Sequence, residues 1–155
     1  MMDIKIVDYN DSYRNAFKAL NQEWIEKYFK MEAMDHHYLD HPKENILEQG
    51  GYIVVALLGE EPIGVCALVK SNYERFDYEL TKMGVSPKAQ GKGIGYLLGK
   101  AIVDKARDLG ANNIFIESHT VLGPALNLYK KLGFTVIEGV DSPYERSNIQ
   151  MELVL

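Results

Sequence analysis

The stretch from Lys82 to Lys100, Lys-Met-Gly-Val-Ser-Pro-Lys-Ala-Gln-Gly-Lys-Gly-Ile-Gly-Tyr-Leu-Leu-Gly-Lys, constrains this chain more than any other. An apolar strand end at Met83 to Val85 runs through Pro87 into a turn punctuated by Gly91, Gly93 and Gly95. Ile94, Leu97, Leu98, Ala101 and Ile102 then recur at helical spacing, so strand, turn and helix follow one another directly. Alternate glycines remove Cβ atoms from the turn, which allows unusual dihedrals and lets a ligand approach the peptide planes. The first N–H groups of a helix have no intrahelical partner, and the helix dipole adds partial positive charge there. A phosphate or pyrophosphate is the natural occupant. Without one, three glycines at a helix start would each give up roughly 1 kcal/mol against alanine.

Two familiar phosphate signatures fail. The dinucleotide pattern G-x-G-x-x-G needs glycine at 96 or 98, where Tyr96 and Leu98 stand, and no G-x-x-x-x-G-K-[ST] occurs. What remains is Gln90-Gly-Lys-Gly-Ile-Gly95, a Q-x-x-G-x-G after a strand. Further on, Ala125-Leu-Asn-Leu-Tyr-Lys-Lys-Leu-Gly-Phe134 reads as A-x-x-L-Y-x-K-L-G-F. With Glu79-Leu-Thr-Lys-Met-Gly-Val-Ser-Pro87, these stretches resemble the motifs of the GNAT superfamily of N-acetyltransferases, in the expected order, over roughly residues 50 to 140.

Composition sets the outer bounds. At 155 residues the length fits one domain with a single core. No apolar run approaches the roughly 18 residues of a membrane span. The N-terminus alternates polar and apolar residues and lacks a secretory pattern, so a cytoplasmic protein is expected. A net charge of -5 with no Lys/Arg block argues against nucleic-acid binding and is compatible with amine substrates. The single cysteine, Cys66, lies in an apolar run and is expected to be buried filler.

The chain then reads in order. Asp3 to Tyr9 alternates as a first strand, and Asn10-Asp11-Ser12 caps a helix expected from about Ser12 to Lys30. Trp24 and Tyr28 fall on its apolar side at core spacing. Met31 to His41 is polar and its histidines are expected on an exposed loop, and Pro42 suits the first turn of a second helix ahead of the hairpin. His36, His37 and His41 lack the companions of a metal site, so no metal is expected. Gly51 to Leu58 and Ile63 to Val69 read as a hairpin of central strands covered on both faces. A strand over Phe76 to Val85, a helix from Gly91 to about Leu109, a strand at Asn113 to Ser118 and a helix at Pro124 to Leu132 follow. Strands at Phe134 to Gly139 and Ser147 to Leu155 close the chain. The order is that of an α/β (α+β) mixed sheet with helices on both faces.

The resemblance implies a mostly antiparallel central sheet, acetyl-CoA or coenzyme A as cofactor, and a small-molecule or peptide amine as acceptor, with no membrane partner and with a homodimer allowed. It implies that the cofactor lies along Met83, Gly84 and Val85 and is gripped by Gln90, Gly91, Lys92, Gly93, Ile94, Gly95 and Tyr96. Ser118, Leu122, Ala125 and Lys131 border its arm. Leu122 stands where an asparagine is usual, which leaves one hydrogen bond to the arm without its donor, and Ser118 is a substitute contact.

The chemistry itself needs a base and an acid. A lysine-type amine, with a pKa of roughly 10.4, must lose a proton before attacking a thioester, and a carboxylate can accept it. The resemblance assigns this to Glu79, which period two places on one side of its strand with Thr81, Met83 and Val85. It assigns to Tyr129 the proton needed by the departing thiolate. No Cys-His or Ser-His pair with recognisable spacing is present, so direct transfer is expected. The resemblance also makes Tyr28 and His36 candidates for acceptor contact and places Tyr144 with Arg146 where the amine pocket is shaped, so that they could grip an acceptor carboxylate in bidentate fashion. An acyl-CoA binding or sensing module without turnover is the alternative of a different class.

Overall fold

The computed structural model describes residues 3–155. The elements are β1 (Ile4–Asp8), α1 (Arg14–Tyr28), α2 (Ala33–Asp40), β2 (Tyr52–Leu58), β3 (Glu61–Lys70), β4 (Tyr78–Val85), α3 (Ile94–Asp108), β5 (Asn113–Ser118), α4 (Gly123–Leu132), β6 (Thr135–Ile137) and β7 (Ile149–Val154), with short helical segments at Asp11–Tyr13, at Lys43–Leu47 where a helix is expected after Pro42, and at Pro87–Ala89. The strands form one sheet in the order β1-β2-β3-β4-β5-β7-β6. Every neighbouring pair is antiparallel except β4 and β5, which run parallel and are joined by α3.

The sheet separates two cores. Along β2 and β3, Val54, Ala56, Cys66 and Leu68 point to one face, where α3 supplies Ile94, Leu98 and Ile102. Ile53, Val55, Val65, Ala67 and Val69 point to the other, against Phe17 and Ile25 of α1 and Leu39 of α2. Burial on both faces is why these two strands read as continuous apolar runs. Cys66 is fully buried filler, and burial pushes its thiol well above the ordinary range.

Several boundaries differ from the sequence reading, each for a local reason. The Asn10 side chain does cap the first turn by accepting from Ser12 N at 2.9 Å, but that turn is a 3-10 segment and α1 begins at Arg14. α3 begins at Ile94, because Gly91 and Gly93 have φ of 78° and 77°, outside helical backbone. Tyr28, spaced as a core residue, lies at the end of α1 and is 47% exposed. The largest difference is residues 31–41. The expected loop contains α2, opened by Glu32 N donating to Asp35 Oδ2 at 2.8 Å. Glutamate is not among the favoured capping residues, so the helix start carried little signal.

Period two also fails inside β4. Val65 pairs with Gly84 and Ala67 with Thr81, so one residue of β3 stands opposite two of β4, and Lys82 in this bulge takes φ 55°. Met83 and Val85 consequently pack with Tyr78 and Leu80 toward α3 instead of lying beside Glu79 and Thr81. Lys82 is turned to the face that carries α2.

Two glycines let helices approach closely. A Cβ on Gly84 would lie 2.7 Å from Leu20 O, a backbone atom of α1, whereas one on Gly99 would meet only the Cδ1 of Leu132 at 2.6 Å. We expect Gly84→Ala to destabilise the fold by about 1–3 kcal/mol through overpacking. Gly99→Ala should cost less, since Leu132 can turn aside and alanine favours the helix by roughly 1 kcal/mol. Urea midpoints for the two variants test the order, and a more stable Gly84→Ala would refute it.

Candidate active site

β4 and β5 keep register over two pairs only, Tyr78 with Ile114 and Glu79 with Phe115. Beyond Glu79 the strands part, and Thr81 to Met83 on one side and Glu117 and Ser118 on the other line a cleft. Leu122 and Tyr129 border the cleft from α4 and its approach. Trp24 of α1, Phe29, Tyr144 and Arg146 border it from the opposite face of the sheet. The opening therefore connects the two faces.

The turn before α3 sits at the end of β4. Among the described residues, the amides of residues 91 to 96 donate to no protein acceptor, and α3 has no side-chain cap. A Cβ placed on Gly91 or Gly93 would meet nothing within 4 Å, so the ground above the turn is open. Gly95 serves differently: its missing Cβ makes room for Leu128 Cδ2, 3.0 Å from where that atom would be. Gln90 bends back to donate to Val85 O at 3.3 Å, and the Lys131 ammonium lies 4.8 Å from the centre of the Tyr96 ring. Free amides at a helix N-terminus are what a phosphate or diphosphate group requires.

A buried charge cluster closes the opposite mouth. Asp35 is fully buried and takes the Arg146 guanidinium as a fork, Nη1 to Oδ2 at 2.6 Å and Nη2 to Oδ1 at 2.7 Å. The Lys82 ammonium donates to the same Oδ1 at 2.7 Å and to Tyr144 Oη at 3.0 Å. Glu32 adds Oε2 to Arg146 at 3.4 Å and accepts from Glu145 N at 2.9 Å. The guanidinium also lies 4.6 Å from the Tyr144 ring centre and about 6 Å from those of Phe29 and Trp24. Burial pushes Asp35 upward, yet the Arg146 fork and the Lys82 charge outweigh it and hold the carboxyl to about 2. Burial lowers Lys82 despite the pull of Asp35.

Glu79 sits where the strands part, 8% exposed. Burial, then the Glu117 carboxylate, push it up to about 8 against the attraction of Lys82, and no hydrogen bond opposes them. Glu117 follows Phe115 by two residues on β5, so it faces the same way as Glu79. Both its oxygens are buried without a hydrogen-bond partner among the described residues; the hydroxyls of Ser142 and Ser147 stand near but outside bonding geometry. Burial raises Glu117 as well. Tyr129 is half-buried across the cleft, and burial keeps its hydroxyl protonated well above neutral pH.

The sequence-derived candidates divide accordingly. Glu79, Met83, Ser118, Leu122, Tyr129, Tyr144 and Arg146 converge on one cleft. Ala125, Gly84 and Val85 are not among its lining, and Gly84 backs onto α1. Tyr28 stands outside the cleft, and His36 is half exposed beside Asp40 at 3.1 Å. The carboxylate that Arg146 grips is the chain's own Asp35, so the guanidinium fork is not free for an acceptor. Sequence reasoning missed Asp35, Lys82, Glu117 and His119, all but Asp35 lining the cleft. The His119 Nδ1 accepts from Val121 N at 2.9 Å, which leaves its Nε2 as the donor of the neutral ring. Only Glu117 had a signal, its two-residue offset from Phe115 on a strand next to β4.

The fold and the turn define a protein with an uncapped helix N-terminus beside a pair of parted strands. A profile of the acetyltransferase (GNAT) family matches residues 16–134, and the chain belongs to that family. Streptothricin acetyltransferase from Streptomyces lavendulae is 36% identical over 73 residues, 46% of this chain. The match spans 38% of that relative's length. A GNAT-family acetyltransferase from Staphylococcus aureus superposes with a TM-score of 0.85 at 20% identity, over 97% of this chain and 98% of its own. The structure of yncA from Salmonella typhimurium with its cofactor acetyl-CoA superposes with a TM-score of 0.79 at 19% identity, over 98% of this chain and 94% of its own.

Removing the charge of Asp35 would strand Lys82 and Arg146. Asp35→Asn is expected to lose about 3–5 kcal/mol of stability at pH 7. Because the folded carboxyl is held below its unfolded value of roughly 3.9, its contribution is present above that value and is lost as pH falls through about 2. Denaturation curves across that window should converge for the two proteins, and an undiminished gap below pH 2 would contradict this.

Proposed function

We propose that this protein transfers the acetyl group of acetyl-CoA directly to a primary amine. The observation that carries the reading is the cleft between β4 and β5, with Glu79 at its apex, Tyr129 across it and the unpartnered amides of residues 91 to 96 at the end of β4. Those amides and Lys92 would hold the diphosphate, with Met83, Ser118 and Leu122 along the arm. Bound there, acetyl-CoA would supply an activated acyl thioester. The lone buried Cys66 supports a cytoplasmic location.

The chain's own groups suit the proton movements. Glu79, poised near 8, takes a proton from the entering ammonium and leaves a neutral nitrogen. Tyr129, kept protonated by burial, gives a proton to the departing sulfur. The new N–C bond replaces the C–S bond, and the second proton shed by nitrogen balances the one Tyr129 gave. Glu79 releases its proton to solvent for the next turn.

The test follows free thiol while acetyl-CoA is incubated with a panel of amines. We expect acceptor-dependent release that falls roughly 10²-fold or more in Tyr129→Phe, with little change in acetyl-CoA affinity. As a base, Glu79 acts when deprotonated, so kcat/KM should rise with pH through about 8. Glu79→Gln should remove that limb and leave only the rise due to the amine itself. Acetyl-CoA binding without release across the whole panel would sink the proposal, and full turnover by Tyr129→Phe would remove that residue from the mechanism.

A further inference from the structure

The charges around the acceptor side of the cleft cancel in one part and do not in another. Lys82 and Arg146 contribute two positive charges, and Asp35 with Glu32 contribute two negative ones, joined by short hydrogen bonds. Tyr144 occupies a further Lys82 donor, and the aromatic faces of Tyr144, Phe29 and Trp24 border the guanidinium. The remaining ionisable groups are Glu79 and Glu117. The Glu79 side chain, more than nine-tenths buried, makes no hydrogen bond among the described residues, and both Glu117 oxygens are buried there without a partner in bonding geometry, with the hydroxyls of Ser142 and Ser147 close by and no cation bonded. His119, which also borders the cleft, has its Nδ1 already bonded to Val121 N. Two carboxylates thus face a space in which every cation is already matched.

We infer that the acceptor side of this cleft takes an aliphatic diamine, one nitrogen placed at Glu79 to react and the other, still cationic, held by Glu117. The inference rests on the acyl-transfer reading for the fate of the first nitrogen. It assigns Glu117 a separate role, since a single ammonium that gives its proton to Glu79 would leave Glu117 facing a neutral amine. Glu79 and Glu117 lie on neighbouring strands, two residues apart along the chain direction, so their Cα atoms are roughly 8 Å apart before the strands part. A short methylene spacer bridges such a gap, and the Trp24 and Phe29 rings offer it an apolar wall. An acceptor carrying a carboxylate beside or opposite its amine is disfavoured, because Arg146 is committed to Asp35 and the cleft offers that carboxylate two further carboxyl groups in place of an unmatched cation.

The experiment compares three acceptors of one length: 1,4-diaminobutane, butylamine and 4-aminobutanoate. Thiol release with acetyl-CoA gives kcat/KM, and calorimetric titration of each compound into the protein with coenzyme A gives affinity without turnover. The diamine should exceed butylamine about tenfold or more in both, as a charge-assisted contact implies, with 4-aminobutanoate weakest. Glu117→Gln should bring the diamine-to-butylamine ratio near one, and Glu117→Asp should restore part of it. Equal affinities for diamine and butylamine, or a preference for 4-aminobutanoate, overturn the inference, and robust turnover alongside either result leaves acetyl transfer standing. Selective diamine binding that Glu117→Gln abolishes, with no thiol release from any acceptor, supports the diamine site and removes the transferase reading instead.

Discussion

The parting of β4 from β5 after Glu79 is the constraint on which the rest depends. Among the described residues the two strands are the only parallel neighbours in an otherwise antiparallel sheet, and a parallel connection obliges the chain to cross over, here through a helix. That helix, α3, starts at the carboxyl end of β4, beside the widening gap. One connection therefore creates both an anion cradle and a passage through the sheet, which agrees with the tendency of ligands to lie beyond the carboxyl ends of parallel strands. Cores on both faces keep the parting in place: Phe17 and Ile25 bear on one side, Leu98 and Ile102 on the other.

The turn ahead of α3 and the helix after β5 were legible because they are written locally. Gln90 to Gly95 encode backbone geometry through the residues themselves, and Ala125 to Phe134 encode a helix with its glycine stop at Gly133, where φ is 106°. The hairpin of β2 and β3 was legible for a similar reason, since two-sided burial selects unbroken apolar runs. The charge cluster on the opposite side of the cleft was not. Asp35 meets Arg146 across more than a hundred residues, and nothing in either neighbourhood announces the partner. The polar character of residues 31–41 suggested solvent, yet Asp35 is wholly enclosed because its charge is answered by Lys82 and Arg146.

The bulge in β4 shows how one backbone angle can overturn a pattern. Strict alternation sends Met83 toward Glu79, whereas the left-handed turn at Lys82 sends it toward α3 and delivers the lysine to Asp35. Left-handed backbone at a long side chain costs free energy that is recovered only if surrounding contacts fix it. Here the ammonium is fixed twice, by Asp35 and by Tyr144. The outcome converts an expected cofactor-side strand into a strand that serves both faces of the cleft.

Arg146, Lys82, Asp35 and Glu32 form a closed account of charge drawn from three distant segments of the chain, with Tyr144 bonded to the Lys82 ammonium. Altering any one member leaves an unbalanced ion in a dry interior, so changes there must come in sets to be tolerated. Glu79 and Glu117 stand outside that account, and the outer wall can vary around them freely. For a lineage of such proteins, new acceptor tastes would then arise by rewriting the rim while the locked inner quartet is inherited whole.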